Sequence, residues 1–192
     1  MDETALVLTE VHSADVVELS LNRVGALNAL STGFVREIYE SVARARDLDP
    51  VVLVVTSRCE RAFSVGADLK ERAAMSAADL IDCRADFEAA YRSLLELPFP
   101  VVCAINGFAV GGGFELALTC DVIVADKTAV VGLPEVTIGL IPGGGGSEPR
   151  RPDGSASSTG WSSQGMPGPP RSSWPRRSPP GLPERSSSPS GR

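Results

Sequence analysis

The chain has 192 residues, of which 43% are hydrophobic and 22% charged, and a formal net charge of −6. That length and composition suffice for one domain with a sizeable core, with or without a tail. The acidic balance argues against nucleic acid as a partner and against a basic membrane-surface role.

The opening "MDETALVLTE" has no basic region and no long apolar run, so no signal peptide is expected. No stretch reaches the roughly 18 apolar residues of a membrane span. Two short strands are expected at 5–11 and 16–21, joined by a turn at Ser13-Ala14-Asp15. Phe34, Ile38, Val42 and Ala45 fall on one helical face, which predicts a helix over 32–46. The run "PVVLVVTS" from Pro50 predicts a buried strand, and its continuous Val/Leu character suits a sheet covered on both faces. In "AFSVGADLKE", 62–71, a strand ends, Gly66 follows, and a helix starts with Asp68 and Glu71 at capping-box spacing.

A longer helix is expected at 77–96, opened by Ser76 and Asp79 as a second capping box. Leu80, Cys83, Phe87, Tyr91 and Leu94 lie at core spacing on it. "LPFP" stops that helix. "VVCAIN" then reads as a strand, "GGGFELALTC" as a short helix, "DVIVAD" as a strand and "AVVGLPEV" as short extended pieces. Strands that alternate with helices imply parallel pairing through right-handed crossovers.

Near Ser147 the composition changes. Up to Gly146 there are 11 Lys+Arg against 21 Asp+Glu, whereas 147–192 holds 13 Ser, 10 Pro, 7 Arg and 6 Gly in 46 residues. That segment has no Val, Ile, Phe or Tyr, and both tryptophans, Trp161 and Trp174, fall within it. It cannot bury enough apolar surface to offset its conformational entropy, so a disordered tail is expected. A natural Ser/Pro/Arg linker and out-of-frame reading of a GC-rich gene both explain the break. The chain therefore divides into a core, 1–146, and a tail, 147–192.

The chemistry on offer is narrow. Cys59, Cys83, Cys103 and Cys120 form no CxxC pair and His12 is the only histidine, so no metal site is expected. Buried thiols in a reducing cytoplasm are the expectation. "FAVGGGFELALTCD", 108–121, sets three glycines before a helix and a carboxylate, Glu115, inside its first turns. A glycine-rich strand-to-helix turn bares backbone N–H groups toward an anion. Neither GxGxxG nor Gly-Lys-Ser/Thr follows, so a phosphate cradle fits poorly. The other use is an oxyanion hole, which needs two donors, and the N–H of Ala67 ahead of Asp68 is a second candidate. Glu135, in "GLPEVTIGLIP", would add a second carboxylate suited to acid–base work on water.

"RVGALNALS", "AFSVGADLKE", "AINGFAVGGGFELALTCDVIVAD" and "LPEVTIGLIPGGGG" resemble, in order and spacing, the enoyl-CoA hydratase/isomerase (crotonase) family across residues 4–146. The resemblance implies an α/β fold, a spiral of ββα units, whose C-terminal helical region is here missing and replaced by the tail. It implies an acyl-CoA thioester held between the N–H groups of Ala67 and Gly112. Gly66 and Gly111 lie beside those donors, and Ala26 and Leu27 match a loop near the CoA. Glu115 and Glu135 would be the two carboxylates of a hydratase, which adds water to a trans-2-enoyl-CoA to give a 3-hydroxyacyl-CoA. Isomerases of the family usually lack or replace one of them. No cofactor is implied, since coenzyme A is part of the substrate. Much of the interface of the family's trimer or hexamer would be lost with the missing helices, together with the far wall of the acyl pocket. A non-catalytic acyl-CoA-binding or interaction module, another enzyme of the family such as an enoyl-CoA isomerase, and an inactive truncated product are the rival readings.

Overall fold

The computed structural model describes residues 5–138; the segment 147–192, with both tryptophans, and the glycine run before it lie outside the described residues. The chain opens with a hairpin, β1 (Val7–Ser13) and β2 (Val16–Leu21), turning at Ala14-Asp15. A 3₁₀ turn, Val24–Ala26, leads to α1 (Thr32–Asp47). Then come β3 (Val52–Ser57), β4 (Ala62–Ser64), α2 (Leu69–Ala73), α3 (Ala77–Leu95), β5 (Val101–Ile105), β6 (Phe108–Val110) and α4 (Gly112–Leu118). The last elements are β7 (Val122–Ala125), β8 (Val130–Gly132) and a 3₁₀ turn, Pro134–Ile138.

The strands form two sheets. One has the order β1-β2-β3-β5-β7 and the other β4-β6-β8. Among the described residues only the β1–β2 pair is antiparallel; β2–β3, β3–β5, β5–β7, β4–β6 and β6–β8 are parallel. From β3 onward the chain lays one strand in the larger sheet, one in the smaller, and then a helical segment. The expected parallel pairing holds, but each crossover also passes through a second sheet. Its strands have three residues each, too short for a period-2 pattern to be read.

The helices start where the side chains offer caps. Ser31 Oγ accepts from Phe34 N–H at 3.3 Å to open α1. At α3, Ser76 Oγ accepts from Asp79 N–H and the Asp79 carboxylate accepts from Ser76 N–H, closing the box the spacing predicts. At α2 the box is only half made. Asp68 accepts from Lys70 and Glu71 N–H, but Glu71 turns away and accepts from Thr32 N–H at 2.8 Å, tying α2 to the start of α1.

The core lies between the larger sheet and the α1–α3 pair. Phe34, Ile38, Val42 and Ala45 of α1 are buried as expected, against Val17, Leu19, Leu53, Val55, Phe87 and Leu94 among others. Each of these side chains except that of Ala45 contributes about 1.5–3 kcal/mol of apolar burial. Two expectations fail. Leu80 sits at the outer start of α3 and is 43% exposed, so only Cys83, Phe87, Tyr91 and Leu94 of its set are core. In β3, Leu53 and Val55 are buried while Val52 and Val54 are half-buried. The alternation marks a sheet packed tightly on one face only, where the unbroken apolar run predicts cover on both.

Candidate active site

Parallel neighbours end at the same edge of a sheet, and ligand sites in open α/β sheets gather beyond those carboxyl ends. In the smaller sheet Ala62 pairs with Phe108 and Ser64 with Ala109, while Val110 pairs with Gly132. The three segments that follow, Val65-Gly66-Ala67, Gly111-Gly112 and Leu133-Pro134-Glu135, therefore emerge side by side. A cavity of about 640 Å³ opens there, in the range of small-molecule sites. Its walls include Gly66, Ala67, Gly111, Gly112, Glu115 and Glu135.

The first two turns touch. Gly66 has φ +82°, and a Cβ there would lie 2.7 Å from Val110 O and 3.2 Å from Gly112 N. Only glycine allows both that conformation and that approach. Ala67 is held by a parallel bridge to Leu30, in which Leu30 N–H donates to Gly66 O at 2.7 Å and Asp68 N–H donates to Leu30 O at 3.0 Å. In such a bridge the N–H of the intervening residue points away from the partner strand. Gly112 opens α4, where the first amides have no intrahelical acceptor. Among the described residues neither the Ala67 nor the Gly112 amide has a main-chain acceptor.

The carboxylates flank the Gly111–Gly112 peptide. Glu115 lies one turn into α4, and its Oε2 is 3.7 Å from where a Gly112 Cβ would sit. Glu135 reaches across from the turn after β8, with Oε2 and Oε1 at 3.5 and 3.8 Å from a Cβ placed on Gly111. Glu135 Oε2 is buried and has no hydrogen-bond partner among the described residues. A buried polar atom left so is costly unless a ligand or water completes it. Gly111 N–H donates to Gly132 O at 2.9 Å, which fixes the β8 end, and so Glu135, against this turn.

Two predicted residues sit elsewhere. Ala26 and Leu27 belong to the 3₁₀ turn and its cap and do not line the cavity. They support it from behind, since Leu27 O accepts from Val65 N–H at 3.2 Å. Asn28, which the sequence reading passes over, anchors that loop. It is fully buried with φ +53°; its Nδ2 donates to Ser57 Oγ and Phe63 O, and its Oδ1 accepts from Arg23 N–H. Arg23 in turn bonds Ala29 O and the Asp68 carboxylate, each at 2.7 Å. The Arg23 guanidinium hydrogen bond leads the causes that hold the Asp68 carboxyl below its ordinary range.

The cavity has a further wall from α2 and α3: Leu69, Arg72, Leu80, Cys83, Phe87 and Tyr91. Leu80 is thus a wall residue and not a core one. The Arg72 guanidinium lies over the Phe87 ring, 5.3 Å from its centre. Tyr91 meets the Phe87 ring edge-on, and its hydroxyl donates to Gly112 O at 2.7 Å. Burial, followed by the nearby Glu115 charge, pushes the Tyr91 hydroxyl well above its ordinary pKa. From sequence, Tyr91 is placed at core spacing, on a segment, 72–95, expected to shape the acyl end of the pocket, with no role for its hydroxyl. The available signal was its polar tip, which needs a partner when buried.

The fold class is an α/β spiral of repeated strand–strand–helix units, with a carboxylate-bearing cavity at the carboxyl ends of its smaller sheet. The family model for enoyl-CoA hydratase/isomerase matches residues 11–150, and the chain belongs to that family. It is 43% identical over 148 residues to a probable enoyl-CoA hydratase of Rhizobium meliloti, covering 76% of this chain and 55% of that protein. It is 42% identical over 134 residues to the human mitochondrial enoyl-CoA hydratase domain-containing protein 2, covering 69% and 46%. Among solved structures, an enoyl-CoA hydratase from Bacillus anthracis superposes with a TM-score of 0.70 at 37% identity, over 73% of this chain and 55% of the other. DspI of Pseudomonas aeruginosa gives 0.69 at 31% identity, over 76% and 59%. The chain spans about half the length of the curated relatives it matches. No described helix is long and apolar enough to cross a membrane.

Proposed function

We propose that the chain is an enoyl-CoA hydratase acting on a trans-2-enoyl-CoA thioester. The observation that carries this reading is the buried Oε2 of Glu135, without a hydrogen-bond partner among the described residues and close to Gly111, with the Glu115 Oε2 close to Gly112. The thioester oxygen sits between the Ala67 and Gly112 amides. As the water oxygen bonds to C3, the C2–C3 π electrons move toward the carbonyl and negative charge grows on that oxygen. Two fixed N–H donors stabilise this enolate, each worth roughly 3–4 kcal/mol in comparable sites. The glutamates orient the water, accept its proton and return a proton to C2, so the product is a 3-hydroxyacyl-CoA and no external acid or cofactor is consumed. The apolar wall from Leu69, Leu80 and Phe87 suits a hydrophobic acyl group. Four cysteines without disulfides fit a reducing compartment such as the cytoplasm.

The test is ultraviolet loss of the crotonyl-CoA double bond in the presence of the purified chain. Turnover is expected, and Glu135→Gln lowers it by about 10²-fold or more while binding of the CoA ester persists. Saturable binding without turnover would replace this reading with that of a non-catalytic acyl-CoA-binding module. Neither binding nor turnover overturns both.

A further inference from the structure

The Gly111–Gly112 turn carries a proposed charge-stabilising amide on two residues with no side chains to hold them. Gly111 has φ +53° and ψ −133°, outside the range open to other residues, so its own torsions do little to fix the peptide. The contacts around it are unequal. Its N-terminal side is tied by Gly111 N–H to Gly132 O. Beyond Gly112 the carbonyl receives the Tyr91 hydroxyl at 2.7 Å, from a helix twenty-one positions earlier in the chain. A Cβ at Gly112 would fall 3.0 Å from that hydroxyl, so the phenol presses directly on the residue. Tyr91 is itself immobilised, 4% exposed and edge-on to Phe87 at 6.0 Å. Burial and the Glu115 charge keep its proton on, so across ordinary working pH it is a donor to Gly112 O.

We propose that Tyr91 is a positioning residue: its hydroxyl clamps the Gly112 carbonyl and thereby fixes the direction in which the Gly112 N–H meets the thioester oxygen. This rests on the hydratase reading above. The hydroxyl does not reach the reacting carbons. It acts through Gly112: the peptide that carries the Gly112 N–H is held at its Gly111 carbonyl by Phe114 and Glu115 N–H at 2.9 and 3.0 Å, and the Tyr91 hydroxyl holds the next peptide, across the Gly112 Cα. Because charge on the oxygen is larger in the transition state than in the bound substrate, a loosened amide costs rate more than ground-state binding.

The variant is Tyr91→Phe, which removes one oxygen and keeps the ring against Phe87. Two readouts separate positioning from mere support of the fold. In crotonyl-CoA hydration, kcat is expected to fall about tenfold, with KM changed less than about threefold, which is the scale of one hydrogen bond. In the infrared spectrum of bound carbonyl-labelled crotonyl-CoA, the shift of the thioester C=O band to lower wavenumber should be smaller in Tyr91→Phe than in the unsubstituted chain. Equal kcat and equal band shift in the two proteins overturn the inference and leave the hydratase reading standing. An unsubstituted chain with neither turnover nor a band shift overturns both. Should Tyr91→Phe fail to fold, the chain is produced with 3-fluorotyrosine. The more acidic phenol is a stronger donor, so a larger band shift supports the inference and an unchanged one refutes it.

Discussion

Gly66→Ala should separate the two turns that build the site. At φ +82° a Cβ costs about 1–2 kcal/mol in backbone strain alone. The added atom would also fall 2.7 Å from Val110 O and 3.2 Å from Gly112 N, both main-chain atoms that cannot rotate aside. Overpacking of that kind costs about 1–3 kcal/mol. The sum, about 2–5 kcal/mol, is a large share of a typical domain's 5–15 kcal/mol, roughly. Urea unfolding followed by circular dichroism should show a midpoint lowered by about 1 M or more at an unchanged slope. Gly33→Ala is the matched control. It lies in α1 with no atom within 4 Å of its would-be Cβ, so it should gain about 0.5–1 kcal/mol in helix propensity. If Gly66→Ala unfolds within about 0.5 kcal/mol of the unsubstituted chain, well inside that cost, the contact between the turns is not as described. Should it instead keep full stability and full turnover, the inter-turn spacing has no bearing on the oxyanion donors.

Asn28→Ala removes the side chain that bonds Ser57, Phe63 and Arg23 from a fully buried position, and leaves three groups without that partner. The Ser57 hydroxyl keeps Ala62 O and Cys59 N–H, so at about 1–3 kcal/mol for each of the other two groups the loss should be about 2–6 kcal/mol, measured by the same unfolding curves. Asp68 gives a pH signature. Its folded carboxyl titrates below its ordinary range, chiefly through the Arg23 hydrogen bond, so its stabilisation is complete above the unfolded value near pH 4, roughly, and drains as pH falls through the lower folded value. The stability gap between the unsubstituted chain and Asp68→Asn should therefore be constant from pH 8 to about 5 and shrink toward pH 3. A gap that widens on acidification would contradict the pairing.

The elements with long hydrophobic periods are legible from sequence alone. The α1 face of Phe34, Ile38, Val42 and Ala45 is buried as its spacing requires, and Ser76 with Asp79 marks the start of α3 to the residue. What escapes is the pairing of the short strands into a smaller sheet. Three-residue strands such as Ala62–Ser64 carry no period, and their pairing spans tens of residues of sequence. The same limit applies at the site. The glycine turns and the two glutamates can be picked out as chemically unusual, but their meeting depends on that sheet. Ala26 and Leu27, matched to a CoA loop by resemblance, do not line the cavity, and the Leu27 carbonyl accepts from Val65 N–H of its wall. Tyr91 reads as one more core residue because its spacing on α3 is that of the core; only its hydroxyl distinguishes it, and the partner is 21 residues away in another element.

Ser64 shows how fold and site are one construction. It ends β4, fully buried, and its hydroxyl donates to Asn28 O at 2.7 Å and accepts from Gly66 N–H at 3.2 Å. The first bond locks the loop that carries Leu27 and Leu30; the second sets the torsions of the glycine before Ala67. From the other side, α4 lies so close that a Cβ on Gly113 would fall 2.4 Å from Ser64 O. A single small polar residue thus fixes the Ala67 turn through its hydroxyl and the Gly112 turn through its main chain. Any larger side chain would push α4 outward and carry the Gly112 amide with it. The two proposed donors are thus both referred to the same buried serine, a polar residue at a close contact between β4 and α4.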